Sequence, residues 1–392
     1  MSPIVFIRHF LSRENNQFFM SIAIRSLGIG MVLIFEPIYI YSFFRSLPLT
    51  LLFFAAIHGV FGILVVFGGR LMAKISTKYI ILISHLFFFG YYLSLFFISY
   101  SVLIIPLAIF LRGIGMVLFW PAYHADFSRF SSTGYQGRAI GRINVFSSIP
   151  SIAGPVIGGA ILAFGGYHVL FIVVLVILLL SSIPMFFSKE SYIIYSDSFL
   201  RAWQRIFKRE NFKTSLAFAA DCVEGSIAYY LWPIFMFILA ISYTTMGGIV
   251  TFAMASSIIF TVYMGRMSDK IINRVWFLNI GSVLTSMAWI IKYFVITPLD
   301  AFLAHALYRI CRSSAGIPFQ TFFYKKVAQK GPEADEFIIY REIAINLARL
   351  FFFLLLAGVF YFIPQINLAF LAAAVISLGF MFLGLPPKIK WR

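Results

Sequence analysis

Nine charged side chains interrupt long apolar runs in this chain: Arg25, Glu36, Arg112, Asp221, Glu224, Lys292, Arg309, Arg312 and Arg349. A carboxylate in such surroundings can carry a proton, because lost hydration disfavours its charged form. An arginine there keeps its charge and can grip an anion through its fork of donors. Helical spacing groups these residues. Asp221 and Glu224 stand three apart on one face, as do Arg309 and Arg312, and His305 extends the second stripe by a turn. Arg25 and Glu36 share a face about 16 Å apart. Glu36, Asp221 and Glu224 are thus candidate proton-coupling groups. Arg112, His305, Arg309 and Arg312 are candidates for holding a negative or strongly electronegative substrate group. Arg112 and Arg309 lie roughly 15 Å into their runs, where Arg112 would face the stripe of Arg309 and Arg312.

Plainer readings stand beside these. Arg25 and Asp221 lie at matching depths and would pair to hold two halves together, and Arg312 would simply bond Asp221 or Glu224. Lys292, near the end of its run, would snorkel outward. His58 and His124 would be ordinary packing residues, and Arg349 a supporting partner. Glu36 has no base near its depth on its own helix, which reads as an unpaired acid.

The elements that position these groups must be membrane helices. Hydrophobic residues make up 61% of the 392 and charged residues 11%, against roughly 25% charged in soluble domains. Twelve windows reach the length that crosses a bilayer, roughly 18–44, 49–67, 79–99, 102–124, 140–164, 167–187, 213–240, 245–264, 275–296, 299–323, 338–362 and 366–386. The 48 phenylalanines read as lipid-facing filler. Of the 31 lysines and arginines, twenty-four fall on one side, counting those at the window ends there, Arg45 falls on the other, and six lie well inside the windows. That asymmetry puts both termini in the cytoplasm of a multi-pass plasma (inner) membrane protein, and explains the +17 net charge without nucleic acid. The early apolar run is too long for a cleavable signal and reads as the first span.

The chain repeats itself. Gly265-Arg266-Met267-Ser268-Asp269-Lys270 has a weaker copy 196 positions earlier in Gly69-Arg70-Leu71-Met72-Ala73-Lys74, and Pro233-Ile234 likewise copies Pro37-Ile38. Parallel repeats in an apolar chain are one of the transporter architectures. Residues 1–187 and 213–392 then form two six-helix bundles, and 188–212 a cytoplasmic linker. Within it Leu200, Trp203, Ile206 and Phe207 recur at helical spacing among bases, as in a helix lying on the inner leaflet or a plain tether.

With Gly265, Asp269, Lys270 and Arg274, the stretch between the second and third spans of the second repeat resembles the signature loop of the major facilitator superfamily. Gly69, Arg70 and Lys74 resemble it more weakly. Gly154, Pro155, Gly158 and Gly159 resemble the glycine–proline motif common in proton-coupled exporters, although Pro150 stands where that motif opens with glycine. Arg112-Gly113-Ile114-Gly115 is a weaker match.

The resemblance implies an all-α integral membrane fold of twelve transmembrane helices in two bundles, with the first, fourth, seventh and tenth spans lining a central cavity. It also implies that the loop residues and the glycine–proline residues, with Arg25, serve gating and conformational change. Asp269 with its bases would close a cytoplasmic gate or form a plain solvated loop.

No phosphate loop, nucleophile–base set or metal-ligand cluster is present, so ATP-driven pumping, enzyme chemistry and any cofactor are unsupported. The expectation is a monomeric secondary transporter working by alternating access, exporting a small organic solute against entering protons. The alternatives are uptake or uniport of an organic anion or sugar, and lipid flipping.

Overall fold

The computed structural model describes residues 14–131, 136–268 and 274–383, and those residues fold into twelve helical passes with no strand among them. Span one is built from Glu14–Val32 and Phe35–Phe44, span two is Leu47–Met72, span three Thr77–Phe97 and span four Ile104–Ser131. Gln136–Phe186 holds spans five and six, parted at Gly166, whose φ of 70° favours a residue without a side chain. Span seven is Phe212–Ser226, a π turn over Ile227–Leu231 and Trp232–Ile238. Spans eight to eleven are Tyr243–Ser268, Arg274–Tyr293, Pro298–Gln329 and Ala334–Phe362. Span twelve is Leu368–Ser377, continued as a 3-10 helix over Leu378–Leu383.

Spans one and seven break at equivalent places for one reason. Pro37 and Pro233 have no amide hydrogen, so the carbonyl four residues before each lacks its helical partner. Span one answers with a turn at residues 33–34, span seven with the wider π turn ending at Leu231. Both breaks lie beside interior charged groups.

Seven stretches among the described residues are long and apolar enough on their own to cross a membrane. Spans seven, eight, ten and twelve are not among them; a π turn interrupts the seventh and charges stud the tenth. Leu86, Ile183, Phe252, Leu355 and Val375 are exposed on the outside, the apolar surface a bilayer covers. The phenylalanines are not mainly outer filler, however. Phe35, Phe54, Phe61, Phe88, Phe119 and Phe171 are fully buried, and edge-to-face pairs such as Phe88–Phe119 build the interior.

The two halves meet along span two against span eleven and span five against span eight. Small residues let these helices close. A Cβ added at Gly62 would touch Asn346 at 3.5 Å, and one at Gly69 would press on Ile339 at 3.1 Å. Thr251 accepts from the Val156 amide at 3.2 Å and donates to the Ile152 carbonyl at 2.9 Å. Within the first half, a Cβ at Gly154 would meet the Gly30 backbone and one at Gly158 the Met31 carbonyl, both on span one. Gly159 instead abuts the Tyr243 carbonyl of span eight, so the glycine–proline stretch packs on both neighbours.

Residues 188–198 run extended before the helix Phe199–Phe207. Thr77 and Ser191 both bond Asp126 at the end of span four. Further on, the Ile194 amide donates to Asp335 at 2.9 Å and the Ser196 amide to Glu336 at 3.1 Å. The strap therefore touches both halves. In its helix Ala202 is buried while Leu200 and Phe207 stay exposed beside Arg201.

Candidate functional site

The interior charges form one cluster in each half. In the first, Glu36 on span one is fully buried and accepts from Tyr91 and Tyr92 of span three at 3.0 and 3.1 Å. Arg112 of span four completes it, 3.5 Å from the carboxylate. The Arg112 guanidinium also stacks over the Tyr91 ring at 4.9 Å. Glu36 is thus a paired acid, and its expected isolation is corrected: the base comes from another helix. Arg112 is correspondingly taken, and does not face the Arg309–Arg312 stripe as a free hand.

In the second cluster, Asp221 and Glu224 both reach Arg312. Arg312 Nε donates to Glu224 at 2.9 Å, and its terminal nitrogen bonds Asp221. The other Glu224 oxygen accepts from Trp289 at 2.7 Å and Tyr308 at 2.8 Å. Glu224 is sealed, whereas the Arg312 and Asp221 side chains are 19% and 21% exposed. The plainer reading of Arg312 matches this geometry.

Three further expectations are corrected. Arg25 does not pair with Asp221; its guanidinium lies 3.7 Å over the Phe119 ring and 4.7 Å over Phe88, and its Nε has no hydrogen-bond partner. Aromatic faces, not an acid, receive it, since Arg312 occupies Asp221. His305 leaves the arginine stripe: it stacks on Trp232 and touches Lys292 Nζ at 3.3 Å. Lys292 does not snorkel; it is fully buried, because the Trp232, Trp289 and Tyr308 rings surround its ammonium at 4.0, 4.3 and 3.8 Å.

Arg309 is left without an acid. Its Nε has no hydrogen-bond partner, and it forms no ion pair among the described residues. Among the described residues Arg349 of span eleven bonds the Ser226 hydroxyl, at 3.1 Å, and no other side chain.

Between the halves, His58 meets Asn346 at 2.8 Å and Tyr230 at 3.3 Å. His124 meets Tyr324 at 3.1 Å and Arg341 at 3.2 Å, and Arg341 pairs with Glu342 at 2.7 Å. Both histidines bridge the halves rather than merely pack. Arg70 and Lys74 are exposed. Asp269 and Lys270 fall outside the described residues, and of Gly265 and Arg274 only the helical backbone is described. Among the described residues no group of His, Cys, Asp and Glu could hold a metal ion.

Tyr91, Tyr92, Trp289 and Tyr308 carry much of this arrangement and were not singled out from sequence. Uncharged aromatics are too common here for their hydroxyl or indole hydrogen to signal a role. Asp335 and Glu336 could have been found as acids opening span eleven, a favoured position at a helix N-terminus.

Residues 18–334 match the sequence model of the Major Facilitator Superfamily. The chain belongs to that superfamily. It is a multi-pass integral membrane protein whose general role is that of a secondary transporter. Its fold of twelve helices in two bundles is similar to those of solved transporters. The human organic anion transporter MFSD10 (TETRAN) aligns with a TM-score of 0.68 at 14% identity, over 96% of this chain and 99% of that one. A D-xylose–proton symporter aligns at 0.66 and 14%, over 96% and 98%. The E. coli fucose:proton symporter FucP aligns at 0.62 and 14%, over 96% and 97%. The sequence has no match among proteins of curated function.

Proposed function

We propose that this transporter moves a small organic anion, carrying a carboxylate or phosphate, together with protons. The observation that carries this is the charge balance of the interior. Glu36 is taken by Arg112, and Asp221 and Glu224 by Arg312, while Arg25, Arg309 and Arg349 form no ion pair among the described residues. An unpaired guanidinium away from water favours an anionic partner, and its planar fork suits a carboxylate or phosphate. Arg309 is the principal hand, with Arg25 and Arg349 reinforcing the positive field. The similarity to a protein described as an organic anion transporter agrees with this reading.

Glu36 is the coupling group. Protonation would remove the charge that holds Arg112, adding a fourth unpaired guanidinium to the interior. Proton and anion then strengthen each other's binding, since coupling between two sites is reciprocal. This sign supports symport, and hence uptake, over the export suggested by the Gly154–Gly159 pattern. Proteoliposomes test both points. A symporter accumulates anion when the outside is acidic, an antiporter when the inside is acidic. Accumulation of a neutral or cationic solute instead, with no anion moved, removes the proposal.

For the body plan we propose a monomer with residues 1–187 and 213–392 as two rocking units, 188–212 as their tether, and both termini in the cytoplasm. A reporter fused at residue 196 that reports the outer side would overturn the orientation.

A further inference from the structure

The Lys292 cage takes no part in the anion site. Lys292 stands in the last turn of span nine, on the outer half of the second bundle, with no exposed surface. Its ammonium faces three aromatic rings and one acceptor, His305, whose Nδ1 is 3.3 Å away. His305 is itself held between Trp232 (5.7 Å, interplanar angle 11°) and Tyr308 (5.9 Å, 26°). Lys292 makes no ion pair among the described residues.

The charged and titratable groups around the cage are few. Span seven brings Glu224 and, beyond it, Asp221; span ten brings His305, Tyr308, Arg309 and Arg312. Span nine adds only the Trp289 indole, and span twelve adds Phe370, which cannot titrate.

This arrangement suits both forms of the amine. An ammonium is stabilised by ring faces and can donate to a bare Nδ1. A neutral amine has a lone pair that accepts from an Nδ1–H. Nothing but a proton needs to be exchanged between the two forms. A guanidinium at this place could not do the same, because arginine does not give up its charge, whereas a buried lysine does.

The cage also has a link to the transport site. Trp289 and Tyr308 each face Lys292 with the ring and donate their polar hydrogen to Glu224. Glu224 in turn holds Arg312, which bonds Asp221 and, like it, stays partly exposed.

We propose that Lys292 and His305 form a proton-binding site in the second bundle, separate from Glu36, whose occupancy is passed through Trp289 and Tyr308 to the Glu224–Arg312–Asp221 cluster. The ligand is a proton taken from water by the free amine lone pair and returned to water on release. Lys292 is a positioning residue for the arginine cluster.

The test uses tryptophan fluorescence of the purified full-length protein, titrated with pH in the Glu36→Gln background and without any substrate, so that it stands or falls apart from the anion proposal. Two of the six tryptophans, Trp232 and Trp289, touch the ammonium and report its charge. The parent should show a reversible transition. Lys292→Arg should lose it and stay at the low-pH plateau, because its charge is permanent. Lys292→Met should lose it and stay at the high-pH plateau. A transition unchanged in both variants overturns the proposal, as does a parent with none. Should Lys292→Met fail to fold, His305→Gln replaces it: its side chain can still accept from the ammonium but cannot share the proton, so the midpoint should move. An unmoved midpoint counts against the site. A packing role alone would lower the melting temperature of these variants without locking them at opposite plateaus.

Discussion

Replacing Glu36 by glutamine should uncouple anion binding from pH. The carboxylate accepts from Tyr91 and Tyr92 and sits 3.5 Å from Arg112. Glutamine keeps the shape and an acceptor oxygen but imitates the protonated state permanently. At 3.5 Å, and with an effective dielectric of about 20, the lost attraction for Arg112 is on the order of 5 kcal/mol before solvation is counted. For any anion bound about 8 Å from Glu36, the same charge contributes a repulsion of roughly 2 kcal/mol that the variant removes. That corresponds to about 30-fold tighter binding at neutral pH. Affinity measured by thermal shift or calorimetry should therefore rise in Glu36→Gln and become flat with pH. In proteoliposomes, accumulation driven by a pH gradient should vanish while anion exchange continues. A variant that keeps both the parent's pH-dependent affinity and its gradient-driven accumulation would refute proton coupling through Glu36.

Glu224→Gln should lower the melting temperature of the detergent-solubilised protein sharply, since breaking a buried charge pair costs about 3–5 kcal/mol. Asp221→Asn should cost less because its side chain is 21% exposed; equal losses would contradict the assigned geometry. Gly158→Ala should destabilise by about 1–3 kcal/mol through the clash with the Met31 carbonyl, and an unchanged melting temperature would show that spans one and five are not so close. At the tether, Arg205 pairs with Asp197 and Glu333, and holds the Glu333 carboxyl below its usual range. A depressed carboxyl stabilises above its unfolded titration range, and that contribution disappears as pH falls through the folded one. Protease protection of the tether should therefore weaken on acidification in the parent, and Arg205→Ala should show less of that pH dependence; an identical profile in the two would refute the pairing.

Much of the fold was readable because its signals are local. Apolar length gave the spans, and the repeat of Pro37 in Pro233 marked two breaks that have one cause. The shared face of Asp221 and Glu224 followed from helical spacing, and both acids reach one arginine. What spacing does not encode is which helix lies opposite. Glu36 looked unpaired because Arg112 is far away in sequence and comes from span four. His305 and Arg312 are two turns apart on one helix, yet small differences of angle send one to the Lys292 cage and the other to the acids. Lys292 was read from its place near the end of a run, and only the packing of Trp232 and Trp289 shows that the side chain turns inward. The aromatic donors gave no charge signal at all.

The central claim is that Arg309 holds a substrate anion, and ligand-induced stabilisation of the parent and of Arg309→Lys tests it most directly. Small carboxylates and organic phosphates, with neutral and cationic solutes of similar size, would be titrated against each protein while the melting temperature is followed, since a bound ligand stabilises by mass action. The account predicts that an anion stabilises the parent, and that Arg309→Lys, which keeps the charge but loses the fork, binds it at least about tenfold more weakly with an unchanged ligand-free melting temperature. Stabilisation by a neutral or cationic solute alone, equal in both proteins and with no anion effective, would contradict it.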